Sequence, residues 1–172
     1  DYAPFDIDVT TEDPGFDAID RSSPEDPRYG TRAVITNDSV VGSTCICGGL
    51  AYVGVFDALI SDSLYHSFSQ PAVLFANNLS GGTSSKSIAE ATSHEVGHNL
   101  GLNHDRTATE SYYQGAGAWA PLMGVGYSRP LSQFSKGEYT GANNTEDDFS
   151  LIAAHGGTPV ADDHSDVRTS AT

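Results

Sequence analysis

The stretch that decides the fold is HEVGHNLGLNHD, which covers residues 94–105. On a helix, His94 and His98 project from the same face, one turn apart, because they are four residues apart. Two imidazoles held in this way can bind one zinc ion through ring nitrogens. Glu95 follows the first histidine and lies beside that face. There it is placed to accept a proton from a zinc-activated water rather than to bind the metal.

The second half of the stretch predicts how a third ligand joins the first two. Glycine readily adopts the left-handed conformation that ends helices, so we expect the helix to stop at Gly101 and the chain to turn back. This turn allows His104 to supply a third nitrogen from outside the helix. Three protein ligands leave one zinc position open, which is typical of catalytic sites. A solvent-facing helix with scattered histidines is the alternative, and the spacing of Gly101 and His104 argues against it.

These residues resemble the metzincin zinc endopeptidase signature, H-E-x-x-H-x-x-G-x-x-H, at every fixed position. Asp105, which follows the third histidine, is similar to the residue of the adamalysin (reprolysin) and snapalysin branches. The wider run over residues 8–149 resembles a bacterial secreted reprolysin-like metalloprotease. The resemblance implies a zinc endopeptidase that acts on proteins or peptides, with Glu95 as the general base and then the general acid.

The resemblance also implies a mixed α/β fold, in which a twisted, mostly parallel sheet of about four strands packs on the active-site helix. An irregular C-terminal half with a methionine turn and a C-terminal helix would follow. Hydrophobic patterns place strands at residues 6–11, 32–36, 50–56 and 72–76.

Two helices are predicted from capping residues. Ser84 or Ser85 can cap the motif-bearing helix, which we expect to run to about Leu100. Thr145 can cap a C-terminal helix that begins with carboxylates at its positive end and runs to about His155.

The third predicted strand is the candidate substrate-binding edge. In metzincins the strand at this place forms the edge of the sheet that pairs with substrate, whereas the residues alone favour a simply buried strand. The resemblance therefore implies that substrate binds at Leu50, Ala51, Tyr52, Val53 and Gly54.

Met123 is the only methionine in the chain. Metzincins place a turn built on a methionine beneath the zinc-bound imidazoles, so the resemblance assigns this turn to Met123; a generic core methionine is the alternative. Tyr127 lies four residues further on, whereas the zinc-binding tyrosine of astacins and serralysins lies two beyond the methionine. That ligand role is therefore not transferred, and we expect Tyr127 to line the pocket for the substrate side chain after the cut bond.

Length and charge restrict the class of protein. With 172 residues we expect one catalytic domain over 1–157 and a polar tail or linker over 158–172. The net charge of −15 opposes binding to nucleic acid or to anionic membranes. Many carboxylates also provide the oxygen ligands of calcium, so structural calcium is a second candidate cofactor.

Cys45 and Cys47 are the only cysteines, and one residue separates them. This is not a usual zinc-ligand spacing. In an exported protein they can form a disulfide that closes a tight ring, and two free thiols are the alternative.

We expect a secreted, extracellular protein from which a signal segment has been removed. Metzincins usually have five strands and a helix before the active-site helix, whereas only four strands are predicted here. A propeptide or upstream fragment, an altered strand order or another chain would complete the sheet. The rival function is a non-catalytic zinc- or calcium-binding adhesion domain, against which the presence of Glu95 argues.

Overall fold

The computed structural model describes residues 1–59 and 65–161, so most of the predicted tail lies outside the described residues. The strands are β1 (Ala33–Thr36), β2 (Gly49–Leu50), β3 (Ala72–Phe75), β4 (Trp119–Pro121) and β5 (Leu131–Gln133). The α-helices are α1 (Phe16–Ile19), α2 (Ser85–Asn99) and α3 (Asp148–Ala154). Single turns of 3₁₀-helix lie at Asp38–Val40, Ala76–Asn78 and Ser80–Gly82, and a π-helical turn lies at Tyr65–Ser69.

The main sheet has β3 at its centre. β1 pairs with β3 in parallel, and β2 pairs with its other side in antiparallel orientation. Helix α2 covers this sheet through a small core of Leu74, Leu79 and Ala91, with Ile88 packed against it. The expected mixed α/β fold is therefore confirmed. The expected sheet of about four mostly parallel strands is not, because among the described residues the sheet has three strands and one runs antiparallel.

The first predicted strand, at residues 6–11, is wrong. The Asp6 N–H donates to the carbonyl of Thr158 over 2.7 Å, and the residue before it forms an isolated antiparallel bridge with Pro159. Val9 is 79% exposed and Ile7 is only partly buried, so the segment lacks the continuous buried face that was predicted. The amino-terminal backbone pairs with residues near the end of the described chain instead of with the sheet.

The third predicted strand, at residues 50–56, is much shorter than expected. The Gly54 N–H donates to the carbonyl of His98, and the Phe56 N–H donates to that of Asn99, both over 2.9 Å. The last carbonyls of a helix have no partners within the helix. Because these two N–H groups satisfy the end of α2, they are not available to continue a strand ladder.

Both predicted helices are present. Of the two predicted caps of α2, Ser84 and Ser85, the structure has Ser84. Its hydroxyl accepts a hydrogen bond from the Ser87 N–H. Helix α3 begins later than predicted, because its N-terminal cap is the carboxylate of Asp147, which accepts from the Ser150 N–H, and not the hydroxyl of Thr145. In the part of the chain that the structure describes, no helix has the length and the hydrophobicity to cross a membrane.

A second core lies behind the loop that follows α2. It joins the amino-terminal segment, the end of α2 and α3 through the buried side chains Tyr2, Phe5, Phe56, Leu100, Leu102, Met123 and Ile152. This core fixes the loop carrying the third histidine against the rest of the molecule.

The sulfur atoms of Cys45 and Cys47 lie at disulfide-bonding distance, which favours the bridged form over two free thiols. The side-chain amide of Asn78 donates to the carbonyls of both cysteines, over 3.3 and 3.0 Å. The small ring is thereby held beside the start of β2.

Candidate metal centre

The structure brings the three predicted histidines together. His94 and His98 project from α2, and His104 comes from the loop beyond it. The ring centroids of the three pairs lie 4.9, 5.1 and 4.7 Å apart. Each imidazole offers a nitrogen within 4.8 Å of the others, so the cluster can hold a metal ion.

Main-chain carbonyls fix the tautomers of the two helical histidines. His94 Nδ1 lies 3.0 Å from the carbonyl oxygen of Leu122, and His98 Nδ1 lies 2.8 Å from that of Leu102. A carbonyl oxygen only accepts, so each Nδ1 carries the hydrogen and each Nε2 keeps a free lone pair. The Nε2 atoms of His98 and His104 are 2.9 Å apart, close enough to serve the same ion.

The imidazoles are held in the neutral form that binds metal. Burial, together with the neighbouring imidazoles, lowers the pKa of His94 to about 3 and that of His104 to about 4. Burial also lowers the pKa of His98. Metal binding needs deprotonated ligands, so all three nitrogens are available at neutral pH.

Two glycines allow the helix and the loop to approach each other. The predicted turn at Gly101 is confirmed, because its φ is +93° and its N–H donates to the carbonyl of His98. At Gly97, a Cβ atom would lie 2.7 Å from the Met123 sulfur. Met123 is fully buried there, in a turn closed by a hydrogen bond from the Gly124 N–H to the carbonyl of Pro121.

Residues from the C-terminal part of the chain brace the loop that carries His104. Glu146 accepts from the Asn103 N–H over 2.6 Å and from the Asn144 side chain over 2.8 Å. The Asn144 amide also lies 3.4 Å from the carbonyl oxygen of His104. The sequence pattern placed Glu146 among the carboxylates at the start of the C-terminal helix. This contact could not be predicted, because Glu146 lies about forty residues beyond the loop in the chain.

Glu95 lies beside the cluster and is 8% exposed. A Cβ atom at Gly49 would lie 2.8 Å from its Oε1, so the carboxylate packs against the backbone of β2. Burial raises the pKa of Glu95 to about 7. The candidate base, the imidazoles and the sheet edge thus meet at one place.

The other predicted site residues lie around this place. Leu50, Tyr52 and Val53 are about half exposed, whereas Ala51 and Gly54 are partly buried. A Cβ at the glycine preceding β2, Gly48, would lie 3.3 Å from the Tyr127 hydroxyl, so this tyrosine lies across from the edge segment.

Sequence reasoning missed Tyr112. Its ring centroid lies 4.4 Å from that of His104 and 6.1 Å from that of His94. It falls in a stretch with no periodic pattern, so only its nearness in sequence to His104 could have drawn attention to it.

The donor set fits zinc. Among the described residues the converging group consists of three imidazoles and no fourth His, Cys or carboxylate, which matches the ligand chemistry of catalytic zinc sites. Within residues 1–59 and 65–161, no other group of three histidine, cysteine or carboxylate side chains converges in this way. The calcium prediction therefore gains no support.

The site consists of two histidines one helical turn apart, a glycine turn and a third histidine, and it lies beside a mixed sheet. This arrangement is that of a metzincin-like zinc metallopeptidase. The model of the metallo-peptidase family M12B, reprolysin-like, matches residues 15–105, and the chain belongs to this family. Searches among curated proteins and solved structures gave no match. Membership makes zinc the expected metal and proteins or peptides the expected substrates.

Proposed function

We propose that this chain is a secreted zinc endopeptidase in which Glu95 is the general base and the general acid. The observation that carries the proposal is the buried carboxylate of Glu95 beside three convergent imidazoles. His94, His98 and His104 would hold the zinc ion. When bound, zinc supplies Lewis-acid chemistry, which makes water a stronger nucleophile and polarises a carbonyl group.

Glu95 performs the proton transfers. As the oxygen of water bonds to the scissile carbonyl carbon, the Glu95 carboxylate accepts the proton that the water loses. The same carboxyl group then gives this proton to the nitrogen of the leaving amine as the carbon–nitrogen bond breaks. Packing of Glu95 against the backbone of Gly49 holds the carboxyl group in one position for both transfers.

The segment from Leu50 to Gly54 is the proposed substrate-binding edge. An extended peptide can add a strand to an exposed sheet edge through main-chain hydrogen bonds. The half-exposed apolar side chains of this segment would contact the peptide. Because the Gly54 N–H is already bonded to α2, pairing would use the residues before it.

Met123 and Tyr127 have proposed roles on the other side of the centre. The buried thioether of Met123 would form an apolar floor beneath the imidazoles without binding the metal. Tyr127, which is 39% exposed and lies across from the edge segment, would line the pocket for the substrate side chain after the cut bond.

Secretion is the proposed location, and proteolysis is assigned to residues 1–157. The sulfur atoms of Cys45 and Cys47, at bonding distance, support an oxidising compartment. The strong negative charge supports a soluble enzyme rather than one that binds nucleic acid or anionic lipid.

One experiment tests the proposal. Zinc content and casein hydrolysis are measured on the purified chain, again after treatment with a zinc-selective chelator, and again after zinc is restored. We expect stoichiometric zinc, hydrolysis that the chelator abolishes, and recovery on adding zinc. Bound zinc with no hydrolysis would contradict the proposal and support the rival, a non-catalytic zinc-binding domain.

A further inference from the structure

Tyr112 presents a phenol at the rim of the candidate metal centre. Its ring packs on His104 at 4.4 Å and is tilted by 49° to that imidazole, while His94 lies 6.1 Å away. The residue is 43% exposed, so part of this side chain is open to solvent. Among the described residues this hydroxyl has no hydrogen-bond partner.

The phenol also lies near the candidate base. The pKa of Tyr112 is raised first by burial and then by the negative charge of Glu95. Glu95 directly follows His94 in the chain, and the ring centroid of Tyr112 lies 6.1 Å from that of His94, so both residues lie close to this imidazole. With the ring of Tyr112 also packed on His104, the phenol lies beside the imidazole cluster where a scissile carbonyl would bind.

The backbone around Tyr112 is fixed. The next residue, Tyr113, donates its N–H to the carbonyl of Asp105 over 2.8 Å, and its own carbonyl accepts from the Val125 N–H over 3.0 Å. Its ring stacks on Tyr139 with centroids 4.1 Å apart. Since Asp105 directly follows the third histidine, these bonds tie the position of Tyr112 to that of the metal-binding loop.

We infer that the Tyr112 hydroxyl donates a hydrogen bond to the oxygen of the scissile carbonyl as negative charge develops there. The inference rests on the proposed function. Water's oxygen bonds to the carbonyl carbon, the π pair moves to the carbonyl oxygen, and Glu95 takes the proton. Tyr112 keeps its own proton, and no bond at Tyr112 forms or breaks. A fixed donor aimed at developing charge lowers the barrier without reorganisation.

Tyr127 provides the natural contrast. The charge of Glu95 also acts on its phenol. Its hydroxyl, however, lies beside Gly48 on the sheet side of the site, and no ring contact joins Tyr127 to the described imidazoles. We therefore assign substrate side-chain contact to Tyr127 and carbonyl stabilisation to Tyr112.

The test uses single hydroxyl deletions in the zinc-loaded chain. Tyr112→Phe should lower kcat about 100-fold, which is the cost of removing one oxyanion donor, with KM and zinc content unchanged. The matched control is Tyr113→Phe, which keeps the ring stacking and the main-chain bonds and should leave kcat unchanged. Tyr127→Phe should change KM or side-chain preference more than kcat.

A binding measurement provides the second readout. Affinity for a tetrahedral phosphinic peptide should fall in Tyr112→Phe by the same factor as kcat. Affinity for the parent peptide, measured in a Glu95→Gln background, should not change. Unchanged kcat and unchanged phosphinate affinity would overturn the inference, and so would a fall in kcat that follows a loss of zinc.

Failure of the inference can be told apart from failure of the proposed function. If the wild-type chain hydrolyses no peptide, the proposed function is wrong. In that case the phosphinate comparison between the wild type and Tyr112→Phe still decides whether the hydroxyl binds a tetrahedral oxygen. If the wild type is active and Tyr112→Phe matches it, only the inference fails.

Discussion

Helix α2 and the segment at residues 50–56 lie side by side, but their sequences determine their structures to different degrees. In α2 the cap at Ser84 and the turn at Gly101 follow from local residue types, and the structure has both. In the segment, a nearly continuous apolar run predicts a long strand, whereas only Leu50, together with the preceding Gly49, belongs to β2. The two regions differ in whether the partners of their backbone hydrogen bonds are near or distant in sequence.

In the helix almost every backbone bond closes within four residues, so the sequence of the helix fixes it. In the segment, Gly54 and Phe56 bond to the carbonyls of His98 and Asn99, more than forty residues away. The segment serves as a cap for the metal-bearing helix. This comparison predicts that changes in the helix act on the metal and the chemistry, and that changes in the segment act on substrate affinity.

Loss of a ligand should have the largest effect. His98→Ala should lose zinc and hydrolysis together, because two nitrogens remain and the site no longer has three ligands. Metal analysis of the purified variant, with casein hydrolysis in parallel, checks this result. Stoichiometric zinc in His98→Ala would mean that the metal is held elsewhere.

Loss of the base should separate the metal from the chemistry. Glu95→Gln should keep zinc and lower kcat about 100- to 10,000-fold, because only proton transfer is removed. The same two assays measure it. Near-normal turnover in this variant would refute the proposed role of Glu95.

Loss of the brace behind His104 should weaken the metal site without abolishing it. Asn144→Ala removes the amide that bonds both the Glu146 carboxylate and the carbonyl oxygen of His104, so we expect zinc affinity to fall about 10-fold. Competition with a chromogenic chelator gives the dissociation constant. The matched control is Asn143→Ala, whose amide bonds to the carbonyl of Thr107, and it should bind zinc normally.

A change in the segment should affect the peptide rather than the metal. The Val53 N–H makes no backbone bond to the described residues, so it is free to pair with a substrate strand. Val53→Pro removes it and should raise KM about 5-fold, the effect of one hydrogen bond, with zinc content unchanged. A bound substrate-like inhibitor with no main-chain bond to the segment would contradict the edge assignment.

The smallest effect should come from the ring of Cys45 and Cys47. A bridge between residues so close in sequence restricts the unfolded chain little, so replacing both by serine should lower unfolding free energy by about 1 kcal/mol. Alkylation of the unfolded protein followed by intact-mass measurement tests the bridge. Two modified cysteines before any reduction would rule it out.

The sequence alone was sufficient for the parts of the site whose residues are neighbours. The ligand triad and its glycine turn lie within twelve residues, and their geometry follows from helix periodicity. The loss of residues 6–11 from the sheet could not be predicted, because their partner is near the other end of the chain. Asn144 and Glu146 were missed for the same reason, since folding alone brings them to the loop. Tyr112 is close to His104 in sequence, but it was missed because its stretch has no periodic pattern.

His98 belongs to both regions at once. Its ring belongs to the imidazole cluster, while its carbonyl oxygen accepts from the Gly54 N–H of the proposed substrate edge. On the proposed function, a peptide that orders the edge would also order a metal ligand, and zinc that fixes the ligand would also fix the edge. Thermodynamic linkage would make this coupling reciprocal, so the factor by which zinc tightens peptide binding would be the factor by which peptide tightens zinc binding. One backbone carbonyl would then couple the binding of cofactor and substrate.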